Sequence, residues 1–239
     1  MGSDRAHRRA GGKGSGGVPQ ALLLDFGGTL DADGVPWSAR FFEAYRAAGG
    51  PVAREPFERL FAQTDAALLA DATVRALGYA ALVHRQADML ASILPGGMAA
   101  RAVAERFLAE AVATVGSNRP VLERLARRMP LAVVSNFCGN LAPCLDELGL
   151  LPLLVLVLDS ADVGISKPDR RIFEQALRTL DVPAAAAWFV GDNPYADVAP
   201  ALALGMSACW LAPAERQAPE GIEPSVRIQR FVEIEQVLG

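Results

Sequence analysis

Polar side chains follow several apolar runs of this 239-residue chain, each close to the point where a run ends. Asp25 comes in the first run, and Ser135 and Asn136 end the second. Lys167 and Asp192 follow later runs. Carboxylates bind hard cations such as Mg²⁺, and a lysine, a hydroxyl and backbone amides neutralise and orient phosphoryl oxygens. A carboxylate that faces phosphorus can also attack it. Together these residue types indicate phosphoryl transfer assisted by Mg²⁺.

The apolar runs are short and continuous, which is typical of strands in a parallel sheet that is buried on both faces. Five strands are predicted, at 21–26, 131–136, 153–158, 186–190 and 206–211. Helical patterns lie between the last four, at 141–148, 171–180 and 196–204. This alternation predicts a doubly wound α/β fold. Ligands bind outside the carboxyl ends of the strands in such sheets, and the polar residues fall there.

The interval between the first two strands predicts helices at 39–48, 56–70, 80–93 and 99–115, separated by Gly and Pro. A structureless loop of that length is improbable inside a compact domain, so we predict an all-helical insert at 34–118. The α/β core then comprises 20–33 and 119–239. Residues 1–19, rich in Gly, Arg and Ser, are expected to be a disordered lead.

Composition excludes several classes of protein. The net charge of −4 at pH 7 argues against a nucleic-acid surface, and no apolar run is long enough to cross a bilayer. Three cysteines without a CxxC pair favour a reducing compartment, so a soluble cytoplasmic protein is expected. His84 is the one histidine outside the lead, which disfavours a Ser-His-Asp triad. Outside the lead Lys167 is the single lysine, which suggests a specific need for an ammonium.

Four motifs occur in order: DFGGTL at 25–30, SN at 135–136, GISKP at 164–168 and GDNPYAD at 191–197. This set resembles the four motifs of haloacid dehalogenase superfamily hydrolases, and the resemblance covers essentially the whole chain after Gln20. Each motif alone is weak, but four in order at strand ends are specific. The resemblance implies a Rossmannoid core, and the helical insert is similar to the C1-type cap of subfamily I.

By this resemblance Asp25 is the nucleophile and a metal ligand. The backbone carbonyl of Gly27 and the carboxylate of Asp192 complete the protein ligands of Mg²⁺, the implied cofactor. Lys167 is implied to be the catalytic residue that stabilises charge on the nucleophile and the phosphoryl group.

The remaining motif residues are implied to bind substrate or to support the metal site. Thr29 braces the turn after the nucleophile, and Ser135 and the amide of Asn136 bind the phosphoryl group. Asn193 and Asp197 support the metal or a bound water. The implied substrate is a small phosphate ester, with neither nucleic acid nor membrane as a partner.

Gly27 departs from the family pattern, in which phosphatases usually carry a second Asp that protonates the leaving group. A glycine cannot move a proton, and general acid–base assistance is typically worth about 10²–10⁴-fold in rate. Gly27→Asp is therefore expected to raise turnover on alkyl phosphates. Two further interpretations of Gly27 remain open: its backbone adopts a positive φ, or Asp31 or the substrate already supplies the proton.

Two alternative functions also remain open. One is a catalytically silent binding or regulatory protein that kept the fold and the metal site. The other is a carbon–halogen hydrolase in which Asp25 attacks carbon without a metal. In the insert Trp37, Tyr45 and the pair His84–Arg85 are candidate substrate contacts, although aromatic residues at helical spacing are more often core. Cys138, after the second motif, is expected to be an inert thiol.

Overall fold

The computed structural model describes residues 19–239, so the predicted lead, apart from Pro19, lies outside the described residues. One sheet of six parallel strands forms the centre, in the spatial order β3-β2-β1-β4-β5-β6. The strands are β1 (Ala21–Leu24), β2 (Leu131–Ser135), β3 (Leu156–Asp159), β4 (Ala187–Gly191), β5 (Ser207–Leu211) and β6 (Val226–Ile228). Helices cover both faces of this sheet, so the predicted doubly wound α/β class is confirmed.

Strand β1 lies between β2 and β4, and all four of its residues are buried apolar side chains. Leu24 is in register with Val133 on one side and with Val190 on the other. The chain crosses from β1 to β2 in one direction and later returns to place β4 on the opposite side of β1. The residues that follow these three strands therefore meet at a topological switch point, where open α/β sheets bind ligands.

Four helices separate β1 from β2. The structure describes all of residues 34–118. The regular secondary structure in this interval consists of these helices and one 3₁₀ turn, without a strand. Their apolar faces pack on one another and on one face of the sheet. The helices are α1 (Trp37–Ala47), α2 (Arg54–Ala70), α3 (Tyr79–Ile93) and α4 (Ala100–Ala126).

Five further helices belong to the second part of the chain. Asp159 and Asp169 accept hydrogen bonds from backbone N–H groups at the starts of two of them, as N-caps do. On the sheet face opposite the insert, Phe173 packs against Phe189 with ring centroids 5.0 Å apart. These helices are α5 (Leu141–Glu147), α6 (Ser160–Val163), α7 (Arg170–Leu180), α8 (Ala199–Ala203) and α9 (Ile234–Leu238).

In the second part of the chain, the observed elements differ from the predicted ones chiefly in three places. The third strand begins at Leu156 rather than at 153, because a 3₁₀ turn that contains Pro152 precedes it. The predicted helix at 196–204 is a π-helical turn, Pro194–Val198, followed by α8. The edge strand β6 was not predicted, because it has three residues and an arginine at its centre.

Helix α4 continues eleven residues beyond the predicted end at 115, through Pro120. A proline inside a helix removes one backbone hydrogen bond, but Val121, Leu122 and Leu125 continue the buried stripe of Val115, and this packing outweighs the cost. The predicted boundary of the insert, between 118 and 119, thus lies inside a continuous helix. No helix in residues 19–239 has the length and apolar character needed to cross a membrane.

Candidate active site

Asp25 directly follows β1, and three side chains from three separate motifs hold its carboxylate. Thr29 Oγ1 donates to Oδ2 at 3.1 Å and Ser135 Oγ donates to Oδ1 at 2.9 Å. Lys167 Nζ donates to the same Oδ1 at 2.6 Å. The backbone N–H of Asp25 donates to Val190, which joins the end of β1 to β4. The structure therefore brings together the predicted nucleophile, hydroxyls and ammonium.

Lys167 bridges two carboxylates, because its Nζ lies 2.6 Å from Asp25 Oδ1 and 2.6 Å from Asp197 Oδ1. Its side chain is 3% exposed. Burial acts to lower the pKa of Lys167, but the charges of Asp197 and Asp25 outweigh it and the pKa is raised. The ammonium therefore remains charged at neutral pH, and its compact shape suits a position between two buried carboxylates.

The side chain of Asn136 holds the backbone of Lys167 on both sides. Asn136 Nδ2 donates to the Lys167 carbonyl at 2.9 Å, and the Lys167 N–H donates to Asn136 Oδ1 at 2.8 Å. This paired contact fixes the loop that carries the lysine to the end of β2. Ser135 and Asn136 do not cap α5, because the N–H of Leu141, the first residue of that helix, donates to Asp159 Oδ2.

Asp192 follows β4 beside Asp25 and is 6% exposed. Burial raises its pKa well above the usual range, and the nearby charges of Asp25 and Asp197 raise it further. Arg216 opposes this shift from 3.7 Å, although its side chain is one-third exposed. Gly28 has a φ of +90°, and a Cβ there would lie 3.0 Å from the Asp192 carboxylate. Only a glycine lets the loop pass this close to Asp192.

Asp197 and Asn193 have different tasks in the fourth motif. Asp197 accepts from Lys167 with one oxygen and from the Asn193 N–H with the other, at 3.0 Å. Burial raises its pKa to about 6, against the lowering effect of Lys167. Asn193 Oδ1 caps the following turn by accepting from Tyr195 and Ala196. A Cβ at Gly191 would overlap the Asp197 carboxylate, which accounts for that glycine.

Three carboxylates, those of Asp25, Asp192 and Asp197, present oxygens within 4.8 Å of one another. Two basic groups face them, the buried Lys167 and the partly exposed Arg216. The three carboxylates outnumber these two basic groups. A cluster of buried oxygen donors with residual negative charge fits a hard divalent cation such as Mg²⁺.

Trp37 occupies the space beside Gly27. A Cβ at Gly27 would lie 3.3 Å from Trp37 Nε1, closer than an ordinary van der Waals contact. The positive φ in this loop belongs to Gly28 and not to Gly27, so the idea that backbone conformation requires a glycine at 27 is wrong. The indole ring of Trp37, in helix α1, limits the size of the side chain that position 27 can hold.

Asp31 is fully buried and joins the nucleophile loop to the helical insert. Its Oδ1 accepts from the Gly28 N–H at 2.7 Å. Its Oδ2 accepts from Trp37 Nε1 at 2.8 Å, from Arg40 at 3.1 Å and from Tyr79 at 2.6 Å. Burial and the charge of Asp31 raise the pKa of Tyr79, so its hydroxyl stays protonated and donates the hydrogen bond. With four donors around it, Asp31 is placed as an anchor and not as a proton donor to substrate.

A cavity of about 440 Å³ lies between the sheet edge and the insert. Its sheet end is formed by Arg216 and by five residues of the motifs, which are Asp25, Ser135, Asn136, Lys167 and Asp192. Its insert end is formed by helices α1, α2 and α3, through Trp37, Phe61, Asp65, Leu68, Leu82 and Gln86.

Residues outside the strand-end motifs that the sequence singled out differ in whether they reach the cavity. Trp37 and Cys138 line it. Tyr45 is buried in the insert, where its hydroxyl accepts from the Val52 N–H, and Arg85 forms an exposed ion pair with Asp71. Burial, with the charges of Asp65 and Asp159, raises the pKa of Cys138 to about 12, which makes its thiol unreactive.

Sequence analysis missed three residues at this site, which are Asp65, Gln86 and Arg216, and it considered Asp31 only as an alternative source of a proton. None of the four belongs to a strand-end motif. A charged residue on the apolar face of a predicted amphipathic helix is a signal that could have pointed to Asp65. No pattern in the sequence distinguished Gln86 and Arg216 from surface residues.

A doubly wound parallel sheet with a cluster of carboxylates and a buried lysine at its switch point defines a class of α/β proteins. The model of the haloacid dehalogenase-like hydrolases matches residues 19–205. The chain therefore belongs to that family, and the resemblance read from the four motifs is confirmed.

Three curated relatives share parts of the sequence. Pyrimidine 5'-nucleotidase YjjG of Escherichia coli K12 is 34% identical over 95 residues, 39% of this chain and 42% of that protein. Haloacid dehalogenase-like hydrolase domain-containing protein 3 of Homo sapiens is 36% identical over 112 residues, 47% and 43% of the two chains. Phosphoserine phosphatase of Thermus thermophilus is 35% identical over 132 residues, 55% and 48%. The chain matches less than half the length of each.

Solved structures share the fold over nearly the whole chain. The 2-haloacid dehalogenase from Pseudomonas syringae pv. Tomato DC3000 is 26% identical, with a TM-score of 0.55 over 92% of this chain and 98% of that one. The magnesium-bound HAD-hydrolase YfnB from Bacillus subtilis has a TM-score of 0.60 over 92% and 99%, at 16% identity. At that identity the second likeness concerns the fold alone.

Proposed function

We propose that this protein hydrolyses small phosphate monoesters with Mg²⁺ bound, and that Asp25 is the nucleophile. The observation that carries the proposal is the position of Asp25 between Ser135 and Lys167, with Asp192 beside it. Relatives named as phosphatases and a nucleotidase support this substrate class. The uncompensated negative charge at the sheet end favours it over carbon–halogen hydrolysis without a metal.

Asp25, Asp192 and the backbone carbonyl of Gly27 would hold the Mg²⁺. The cation would neutralise charge on the transferring phosphoryl group. Asp197 accepts from Lys167 and from the Asn193 N–H, and the proposal gives it the supporting place that the motif resemblance implies. Its role in the proposal is to position Lys167.

In the first half of the reaction, an oxygen of Asp25 attacks phosphorus while the bond to the leaving oxygen breaks. The leaving oxygen keeps the electron pair and takes a proton from solvent. Ser135 Oγ and the backbone N–H of Asn136 hold phosphoryl oxygens, and Lys167 compensates their charge. In the second half water attacks phosphorus, the bond to Asp25 breaks, and inorganic phosphate leaves.

Gly27 offers no side chain that moves a proton in either half. Leaving groups of low basicity, such as aryl and acyl phosphates, should therefore react faster than alkyl phosphates. Residues 34–118 act in this proposal as a separate cap that closes the site from water and selects the organic part of the substrate.

The test is hydrolysis of p-nitrophenyl phosphate by the full chain. We expect activity with Mg²⁺, loss of activity in EDTA, and recovery when Mg²⁺ is restored. Asp25→Asn should lower turnover at least about a thousandfold, as expected when a nucleophile is removed. Asp88→Asn, an exposed charge change on helix α3, is the matched control and should keep full activity.

The same assay separates the alternatives. Full activity in EDTA, or in Asp25→Asn, would contradict the proposed mechanism. A folded protein that binds Mg²⁺ but turns over no phosphate ester would be the silent binding protein. Release of halide from a 2-haloacid without metal would identify a dehalogenase.

A further inference from the structure

Asp31 holds the peptide unit between Gly27 and Gly28 from one side. The N–H of this unit belongs to Gly28 and donates to Asp31 Oδ1 at 2.7 Å, between two buried residues. The unit is trans, since Lys167–Pro168 is the one cis bond within residues 19–239. A trans peptide is planar, and its N–H and C=O point in opposite directions. Asp31 therefore turns the carbonyl of Gly27 away from itself and fixes the direction of that carbonyl.

The Gly27 carbonyl differs from the carbonyls on either side of it in the loop. The Phe26 carbonyl accepts from the Leu30 N–H at 2.9 Å, and the Gly28 carbonyl accepts from the Gly34 N–H at 2.7 Å. No donor within residues 19–239 bonds the Gly27 carbonyl. Gly27 lines the cavity and is only half-buried, whereas both of its neighbours are buried. The one oriented carbonyl that the loop does not use itself is therefore at the cavity.

The same peptide unit borders the carboxylate cluster. A Cβ on Gly28 would lie 3.0 Å from each oxygen of the Asp192 carboxylate. Asp192 and Asp25 present oxygens within 4.8 Å of one another. Mg²⁺ requires nearly ideal octahedral geometry, so it tolerates little rotation of a peptide that supplies one of its ligands. The direction of the Gly27 carbonyl therefore matters for the affinity of this cluster for Mg²⁺.

Side chains of the helical insert hold Asp31 in place. Its Oδ2 accepts from Trp37 at 2.8 Å, from Arg40 at 3.1 Å and from Tyr79 at 2.6 Å. The carboxylate cannot rotate without breaking these contacts, and it does not line the cavity. A charged acceptor also polarises the peptide whose N–H it binds, which increases the negative charge on the Gly27 oxygen.

We propose that Asp31 is a positioning residue of the metal site, which sets the direction and the polarity of the Gly27 carbonyl. Through Asp31 the insert then controls the affinity of the site for Mg²⁺. This proposal rests on the proposed function, because it takes the Gly27 carbonyl as a ligand of Mg²⁺. Asp31 touches neither substrate nor cation, so its removal weakens Mg²⁺ binding more than it slows the reaction of the loaded protein.

The test is titration calorimetry of Mg²⁺ binding to the full chain without substrate, for the wild type and Asp31→Asn. An asparagine has one oxygen, which the three donors of the insert would take, so its NH₂ group would face the Gly28 N–H and that contact would be lost. We expect Mg²⁺ affinity to fall about ten- to a hundredfold, as when a partner that orients a metal ligand is removed. A stoichiometry near one shows that the variant is folded. At saturating Mg²⁺ its kcat on p-nitrophenyl phosphate should stay within about threefold of the wild type.

Leu90→Ala is the control for loss of stability alone. Leu90 is buried near the opposite end of helix α3 from Tyr79, and its truncation destabilises the insert by leaving a cavity. Its Mg²⁺ affinity should equal that of the wild type. Unchanged Mg²⁺ affinity in Asp31→Asn would overturn the proposal, and so would an equal fall in Leu90→Ala.

If Asp31→Asn does not fold, the Gly28 amide proton of the wild type decides by NMR. Mg²⁺ on the Gly27 carbonyl polarises the shared peptide, so saturation with Mg²⁺ should move this proton downfield. An unmoved resonance would overturn the proposal. In each of these cases hydrolysis of p-nitrophenyl phosphate with Mg²⁺ leaves the proposed function standing. A wild-type protein that binds no Mg²⁺ would overturn both.

Discussion

The two ends of the cavity differ in how their polar groups are satisfied. At the sheet end, the protein supplies hydrogen-bond partners for Asp25, Lys167 and Asp197. At the insert end, Asp65 is exposed and Gln86 Oε1 is buried without a partner among the described residues. Preorganised groups suit a reaction step that is common to many substrates. Side chains that border a cavity without such a network suit selection among substrates.

The elements that carry the two ends account for this difference. Parallel strands in register deliver their carboxyl ends to one edge, so residues that are distant in sequence meet with little freedom. The insert presents helical faces, and each of its side chains reaches the cavity separately. Asp31 and the contact of Trp37 with Gly27 are where the two ends join.

The largest loss of stability is expected on replacing Asp31, because Asp31 links Gly28 at the sheet end to Arg40 and Tyr79 in the insert. Asp31→Asn keeps the size but leaves Arg40, whose side chain is 6% exposed, without its carboxylate. Removing one partner of a buried ion pair typically costs about 3–5 kcal/mol. We expect urea unfolding to show a loss of about 3 kcal/mol or more in the free energy of unfolding.

Asp88→Asn again serves as the control and should change the free energy of unfolding by less than about 0.5 kcal/mol. If Asp31→Asn changed stability no more than this control, the two ends would not be joined through Asp31. The insert would then be held by its apolar contacts and by its other polar contacts with the core, such as those of Asn118 with Leu30 and of Asn140 with Leu77.

A smaller loss of stability is expected on replacing Gly27, because Trp37 leaves little space there for a side chain. Gly27→Asp should lower the free energy of unfolding by about 1–2 kcal/mol through overpacking. Gly27→Ala, which adds only the Cβ, separates crowding from charge. With Trp37→Phe as a second change, part of the stability should return, and turnover on alkyl phosphates should rise because the new carboxyl can move a proton.

The comparison of these variants needs both thermal unfolding and kinetics on aryl and alkyl phosphates. A single Gly27→Asp variant that is as stable as the wild type would show that Trp37 moves aside. If that variant also hydrolysed alkyl phosphates faster, glycine at 27 would not be a consequence of the indole.

The sequence predicted the sheet end well and the insert end poorly. Asp25, Ser135, Lys167 and Asp192 each lie near the end of a predicted strand or in the loop after it, so a parallel sheet alone predicted that they meet at one edge. Strand β6 escaped prediction because three residues with a central arginine do not form an apolar run.

The insert end depends on packing that no local pattern encodes. Which face of α2 and α3 borders the cavity is set by how four helices pack, so Asp65 and Gln86 looked like ordinary helical residues. The closeness of Trp37 to Gly27 likewise follows from the angle at which α1 leaves the loop. The sequence therefore indicated only that Gly27 lacks the acid–base carboxylate of the family. It did not indicate that the indole ring of Trp37 fills the space beside Gly27.

The central claim is that the sheet end transfers a phosphoryl group to Asp25, and trapping that group tests it most directly. The protein with Mg²⁺ would be mixed with excess p-nitrophenyl phosphate, quenched in acid within the first turnover and analysed by mass spectrometry. We predict a gain of one phosphoryl group on the peptide that contains Asp25, and no gain in Asp25→Asn. Turnover of the ester with no phosphoryl group on that peptide, or with the group on another residue, would contradict the account.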